Sequence, residues 1–384
     1  MRNYVIKRLL LGVLTIYGVA TLVFFLMRIV PGDPARIALS EPGREGKVPE
    51  EMVRAMRVKL GLARVSVTPR RDLLEPKYGE RYEHMLAALH RLQPQTVMDS
   101  VRAGAPVNAG GFILLPRELQ VDIKDIPVYQ QYGEWLWNSL HLDFGNSLKV
   151  NRPVTEEWRR FFPVTFSVAM LAGMLTVLTA VPLGIISAVR QDRLADYLGR
   201  VVSIAGLSLP TFWVALLIIL MLVIWFKWLP PLEYVPFWQA PWQSLKQIIF
   251  PAFAVAFAQI GMIARMTRSA MLEVLREDYI RTAWAKGLGM RLVVLRHALK
   301  NAFLPVLTIF GLQLGFSIGG LVVVERAFNL PGLGNFLADS VVFRDYNAIQ
   351  ATLFATAIFV TTANLLVDLA YGWLNPKIRY QEGA

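Results

Sequence analysis

The sequence predicts an all-α membrane protein with six transmembrane helices and a large external loop that contains a small folded insert. Three observations lead there. Hydrophobic residues make up 55% of the 384-residue chain and are gathered into long runs, the composition of a multi-span membrane protein. Six of these runs reach the roughly 20 residues that a helix needs to cross a hydrocarbon core, at about 1.5 Å per residue. Basic residues collect beside particular runs, which marks topology.

The six runs cover residues 9–30, 164–189, 201–226, 248–264, 304–324 and 349–374. Arg2, Lys7 and Arg8 precede the first run as they would in a signal peptide, but the apolar stretch is too long and no small-residue cleavage site follows. Residues 1–30 are therefore read as a first span with a basic N-terminus, 31–163 as an external region, 164–374 as a core of five further spans, and 375–384 as a tail. Segment 265–301 holds eight Lys or Arg against three acids, the N-terminus is basic without an acid, and loop 326–348 is balanced. Short-loop charge thus puts both termini and the 265–301 loop in the cytoplasm; the long 31–163 region is exempt from that rule, and its acids nearly cancel its bases. Trp225, Trp228, Trp238 and Trp242 flank the outer ends of the third and fourth spans, as an interfacial belt would.

Pro31-Gly-Asp-Pro34 reads as a turn that ends the first span. Residues 49–60, PEEMVRAMRVKL, read as an amphipathic helix. Residues 63–126 have mixed charge, a Gly110-Gly111 pair and β-like runs such as Phe112 to Leu115, and are expected to form the folded insert. Cysteine is absent, which excludes disulfides, thiolate metal sites and cysteine nucleophiles. The net charge of +12 marks membrane topology, and no nucleic-acid partner is expected.

The stretch DYIRTAWAKGLG, residues 278–289, lies in the longest cytoplasmic loop. Leu272, Leu275, Tyr279 and Ala283 fall on one helical face. Glu277 precedes Arg281 by four residues, a favourable surface pair. Gly287 and Gly289 supply the left-handed geometry that ends helices. One reading is an amphipathic helix on the membrane surface, anchored by Arg276, Arg281 and Lys286 among anionic headgroups. The other is a docking helix, whose small residues Ala283, Ala285 and Gly287 let a partner's backbone approach closely.

The run Glu273 to Gly289, EVLREDYIRTAWAKGLG, followed by LRHALKNAFLP at 295–305, resembles the coupling loop of ABC-importer permeases of the dipeptide/oligopeptide (peptide/nickel) type. In the general permease motif the helix carries Glu-Ala-Ala, three variable residues and Gly; here Arg281-Thr282-Ala283 and Gly287 stand there, the version that resembles the peptide branch. Further matches run along the chain: Arg28-Ile-Val-Pro-Gly-Asp-Pro34, Ser208-Leu-Pro-Thr-Phe-Trp213, Gly311-Leu-Gln-Leu-Gly315, Val324-Glu325, Pro331-Gly-Leu-Gly334, Asn364-Leu-Leu-Val-Asp368 and Asn375-Pro376. Residues 63 to 126 interrupt the pattern. The resemblance implies the type I ABC-importer permease fold, with coupling loop 265–303. It assigns ATPase coupling to Glu277, Asp278, Tyr279, Arg281, Thr282, Ala283, Lys286 and Gly287. It also implies a homologous second permease, two ABC ATPase subunits that use ATP and Mg, an external substrate-binding protein, and a prokaryotic inner membrane. Peptides are the expected cargo; related permeases also handle nickel chelates, glutathione or sugars.

Polar side chains in hydrocarbon are costly unless they face a cavity or a partner, so Gln259, Gln313 and Asn364 are candidates for lining a path, or for interhelical hydrogen bonds. Glu325 and Asp368 lie near span ends, where water or basic loops can satisfy them. Gly311, Gly315 and Gly319 form a stripe of bare backbone on the fifth span, suited to close packing against a helix of this subunit or of a second permease. Pro210 is expected to kink the third span.

Gly315-Phe-Ser317-Ile-Gly319 fits the serine-hydrolase pattern, but His84, His90, His141 and His297 all lie outside the spans, which leaves Ser317 without a base. No His-Glu-x-x-His and no Gly-x-x-x-x-Gly-Lys-Ser/Thr sequence occurs, so neither zinc catalysis nor ATP hydrolysis is expected of this chain, and no bound cofactor. The alternatives are a stand-alone secondary transporter or channel, for which inverted repeats and midplane ionisable residues are not clear, or a protein whose external insert is a sensor or binding module.

Overall fold

The computed structural model describes residues 2–29, 33–39, 49–231 and 233–374. The Pro31-Gly32 part of the expected turn, the Asn375-Pro376 match and the 375–384 tail lie outside them, as do the surroundings of Ser317 and Gly319. The chain divides into two compact units, 1–27 with 144–384, and 28–143.

Helix α1, Arg2–Ile29, is followed by the elements of the 28–143 unit. These are α2 (Pro34–Leu39), α3 (Glu50–Lys59), β1 (Ala63–Pro69), α4 (Arg71–Tyr78), α5 (Tyr82–His90), α6 (Pro94–Arg102), β2 (Val107–Ala109), β3 (Phe112–Leu114), β4 (Leu119–Asp125) and α7 (Val128–Leu140). Strands β1 and β4 pair antiparallel from Ala63↔Asp125 to Pro69↔Leu119. The chain therefore leaves and returns at adjacent points. Gly110 and Gly111, both at positive φ (59° and 95°), turn the β2–β3 hairpin as two-residue hairpin loops require. Between the strands, α4, α5 and α6 bury Leu74, Met85, Leu89 and Val97 against Leu114, so the insert has its own apolar core. Arg57 of α3 ties it at the base, reaching Asp33 and Asp125 at 2.9 Å each.

The second unit continues with α8 (Val154–Val189), α9 (Leu194–Ser208), α10 (Thr211–Phe226), α11 (Pro241–Val274), α12 (Asp278–Ala285) and α13 (Met290–Leu292). A π-helical segment, Val293–Ala298, leads into α14 (Leu299–Ala327), then α15 (Leu333–Val342) and α16 (Tyr346–Leu374). Among the described residues five helices are long and apolar enough to cross a membrane, and six if the bent pair α9–α10 is one span. This is the expected all-α membrane class. The third run differs from a kinked helix. Leu209 precedes Pro210 and is driven into an extended conformation (φ −87°, ψ 126°), so α9 ends, Pro210 caps α10, and the two meet at 108°. The charged segment after residue 264 also differs from a long loop, because α11 carries Arg265 and Arg268 as far as Val274.

Helix α11 is the centre of this unit and packs against α8, α9, α10 and α14. Lipid is as apolar as leucine, so helices in a membrane gain little by hiding side chains from it and rely on close packing. Here that closeness is glycine-dependent. A methyl group on Gly206 of α9 would sit 2.6 Å from the carbonyl oxygen of Phe257, one on Gly261 of α11 2.7 Å from that of Ser203, and one on Gly184 of α8 2.5 Å from Thr267 Cβ. Around these contacts Val168, Ala172, Ala252, Ala256, Ile263 and Val324 are buried.

In the 28–143 unit, the buried carboxylate of Glu118 accepts from Lys77 Nζ (2.7 and 3.0 Å) and from the Leu115 amide (2.8 Å). Burial pushes its pKa up, but the Lys77 ammonium and the amide outweigh this and hold it below the usual carboxylate range. A depressed carboxylate stabilises the fold above its unfolded pKa of ~4.3 and loses that contribution as pH falls through its lower folded value. We predict that insert cleavage by an acid-tolerant protease, measured on the full chain, rises as pH drops below ~4. Lys77→Met should cost the insert about 1–3 kcal/mol at neutral pH, read by pulse proteolysis in urea.

Candidate functional site

The motif residues form a short helix at one end of the α11 unit. Leu275 and Arg276 leave the α11 helix, Glu277 takes an extended conformation as N-cap (φ −67°, ψ 146°), and α12 runs from Asp278 to Ala285. Lys286 ends it, and Gly287, at φ +76°, turns the chain. Two details differ from the helix-period reading. Gly289 has φ −65° and takes no part in the left-handed turn. The face formed by Leu272, Leu275, Tyr279 and Ala283 does not exist as one stripe, because the helix breaks before Glu277.

The buried residues of α12 are Ile280 (0% exposed) and Ala283 (6%), set among Ala188, Met271, Val293, Val294 and Ala298. Ala283 is small because its own subunit packs onto it. Asp278, Tyr279, Arg281, Thr282, Trp284, Ala285, Lys286 and Gly287 are exposed, and Glu277 with them. The pair expected between Glu277 and Arg281 is replaced by Arg281 with Asp278, at 3.3 Å; both are so open to water that it contributes little. Trp284, 40% exposed, is a large apolar group on the open face that was not singled out from the sequence.

Polar bonds fix α12 to its surroundings. Asn301 Nδ2 of α14 donates to the Tyr279 hydroxyl at 2.7 Å. The π-helical segment packs on α12 and leads directly into α14; such widened turns frequently mark functional sites. A few turns back along α11, Arg268 grips Asp196 of α9 through Nε (2.7 Å) and Nη2 (2.8 Å). Asp196 is fully buried and also accepts from Ser187 Oγ of α8 at 2.5 Å and from the Asp192 amide at 3.0 Å. One carboxylate therefore joins α8, α9 and α11. Neither Asp196 nor Arg268 stands out in the sequence, because the partners are 72 residues apart.

The remaining candidates are dispersed along the helices. Gln259 is buried and takes a 3.2 Å hydrogen bond from Thr176 of α8, the interhelical arrangement. Gln313 and Asn364 are partly exposed on α14 and α16. Gly311 and Gly315 face α16 of the same chain: methyl groups there would lie 2.8 Å from Val367 Cγ1 and 3.4 Å from Val360 Cγ1. Gly319 falls outside the described surroundings. Asp368 pairs with Arg8 of α1 at 2.8 Å.

At the opposite end, Glu325 is fully buried and not water-satisfied as expected. Thr165 Oγ1 donates to it at 2.6 Å while accepting from the Leu333 amide at 2.8 Å, and the Asn335 amide donates at 3.0 Å. The carboxylate thus caps α15 at its positive end. A methyl on Gly332 would overlap it, and one on Gly334 would lie 2.9 Å from Oε2, which accounts for the glycines of Pro331-Gly-Leu-Gly334.

For the α9–α11 clamp we predict that Asp196→Asn destabilises the detergent-solubilised protein by about 2–3 kcal/mol, because the partly buried Arg268 and the nearby Arg200 both lose their shared carboxylate. Asp196→Asn with Arg268→Met should recover part of that loss. Thermal unfolding followed by tryptophan fluorescence measures both.

The description "Binding-protein-dependent transport system inner membrane component" matches residues 180–380, a range that holds α12 and the Asp196–Arg268 clamp. The chain is 32% identical over 380 residues to a protein named as a peptide transport system permease of Brucella abortus, covering 99% of this chain and all of that one. It is 33% identical over 381 residues to the glutathione transport system permease protein of Escherichia coli K12, covering 99% and all of it respectively. A multi-span helical body with a clamped, exposed α12, matched over its whole length, leads to one conclusion: the chain belongs to the family of binding-protein-dependent transport system inner membrane components, as a permease.

Proposed function

We propose that this permease is the transmembrane subunit of an ATP-driven ABC importer and forms half of a pathway for short peptides or similar solutes. A homologous second permease forms the other half. Two ATPase subunits, which hold the ATP and Mg, dock on α12, and an external binding protein delivers the solute. Charge asymmetry supports an orientation with α12 and both termini in the cytoplasm and residues 31–163 outside. The peptide assignment rests on the relatives named for peptide and glutathione transport.

The observation that carries this reading is the construction of α12. Its inner face, Ile280 and Ala283, is locked into the core of its own subunit, while its outer face is left open. A helix resting on lipid would turn its apolar side to the membrane; Ile280 and Ala283 of α12 instead pack on its own subunit, which leaves Trp284 and Tyr279 as the large groups of the open face. Force applied to the outer face passes through Tyr279–Asn301 and the π-helical segment to α14, and through α11 and the Asp196–Arg268 clamp to α8 and α9. A pair of ATPases closing on ATP would move two such helices together and rock the spans between inward-open and outward-open states.

Gly287 is where the test falls. A side chain there meets no neighbour within 4 Å, yet the φ of +76° is one that L residues rarely adopt. Gly287→Trp should add about 1–2 kcal/mol of local strain and place bulk beside the docking face. We expect membrane insertion and ATP hydrolysis to persist in the assembled transporter while solute uptake per ATP falls at least ~10-fold, about 1.4 kcal/mol of lost coupling. Gly287→Asn, a residue that tolerates this backbone, should retain coupling. Normal uptake per ATP in the Trp variant would remove α12 from the mechanism.

A further inference from the structure

The end of the 144–384 unit away from α12 contains a cavity of about 410 Å³. Helix α8 separates the two ends: its last turns pack with α12, and its 36 residues extend about 54 Å to the first turn, which borders the cavity. The walls are residues 147–152, the start of α8, the Pro331-Gly332 turn and α15.

The charged groups in these walls are not all paired with one another. Asp345 is buried and occupied, accepting from Ser147 Oγ at 2.5 Å and from the amides of Ala348 (3.1 Å) and Lys149 (3.3 Å). Asp339 is occupied by Lys149 Nζ at 3.3 Å and by Arg326. Glu157 differs. It lies in the first turn of α8, is 7% exposed, lines the cavity, and among the described residues has no hydrogen-bond or ion-pair partner. The residue is buried but its carboxylate oxygens keep access to the cavity, and the positive end of α8 favours a negative charge there. Arg152 and Arg160 line the same cavity, are exposed, and have no carboxylate partner among the described residues; the Arg160 guanidinium has the Phe161 ring at 5.5 Å. One buried anion and two uncommitted guanidiniums therefore face a space in the size range of small-molecule pockets. The complement of that set is a zwitterion.

We propose that this cavity receives the free termini of a short peptide, with Glu157 taking the α-ammonium group and Arg160, with Arg152, taking the α-carboxylate by charge-assisted hydrogen bonds. Pro331 and Asn335 are shared with a neighbouring cavity of about 550 Å³ that also includes Arg160, which gives space for side chains of varied size. This deepens the importer reading, on which it rests only for taking the solute to be a peptide. In the orientation proposed above the cavity opens outside, where the solute arrives.

The test uses the assembled transporter in nanodiscs without nucleotide or binding protein, and saturation-transfer NMR with three probes: Ala-Ala, N-acetyl-Ala-Ala and Ala-Ala amide. Wild type should bind Ala-Ala at least tenfold more tightly than either blocked form. Glu157→Gln should weaken Ala-Ala at least tenfold and abolish the preference over the acetylated probe. Arg160→Gln should abolish the preference over the amide, and because Arg160 is exposed this variant tests the idea even if Glu157→Gln misfolds. Equal binding of all three probes, or variants that bind Ala-Ala like wild type, would overturn the proposal. So would variants that keep peptide binding and lose affinity for the binding protein, since the cavity would then be a protein-docking surface. Peptide binding as expected, with no nucleotide-driven uptake, would retain this site and reject the importer reading.

Discussion

The permease depends on the contact of α8 and α9 with α11 across Gly184, Gly206 and Gly261. Backbones brought this close exchange many small dispersion contacts, and in lipid that packing is the main attraction between helices. The same closeness excludes water from the Asp196 site, where Arg268 and Ser187 converge on one carboxylate. The ion pair and the glycine contacts support each other. The pair is well placed only because the backbones approach, and the approach is held in one register because the pair has one geometry.

Each end of this body is finished by a short helix anchored to the subunit by its inner side. Helix α12 is held by Ile280, Ala283 and the Tyr279–Asn301 bond; α15 is held by Glu325, which occupies the space where side chains on Gly332 and Gly334 would be. A buried carboxylate at a helix N-terminus is tolerable because the amide groups there point at it. Neither short helix would be stable alone. Both are positioned by tertiary contacts, and both are linked to the long helices by residues in fixed places.

Within the 28–143 unit, residues 63–125 form a segment that closes on itself. Residues 63 and 125 are paired neighbours at the start of the β1–β4 ladder, so the chain between them begins and ends at one place. A segment with adjacent ends constrains the chain on either side of it little. Leu74, Met85, Leu89 and Leu114 then form a core that belongs to the insert alone.

Hydropathy and charge placement alone were enough to identify the long helices, because the need to satisfy every backbone group in hydrocarbon leaves a long apolar run almost no alternative to helix. The amphipathic α3 and the separate fold of residues 63–126 were legible for similar local reasons. What the folded chain decided is whatever depends on distant partners. Pro210 separates two helices, where a kink was the local expectation, because Leu209 must be extended and the chain finds packing at 108°. Ala283 turns inward and Tyr279 outward because the break at Glu277 rotates α12 away from the face that α11 defines. Asp196 with Arg268, Glu325 with Thr165, and Glu157 left facing a cavity are products of approach across 72 or more residues, or of the lack of it. Period and composition record which residues must leave water; they carry no record of which polar side chains meet once the helices have packed.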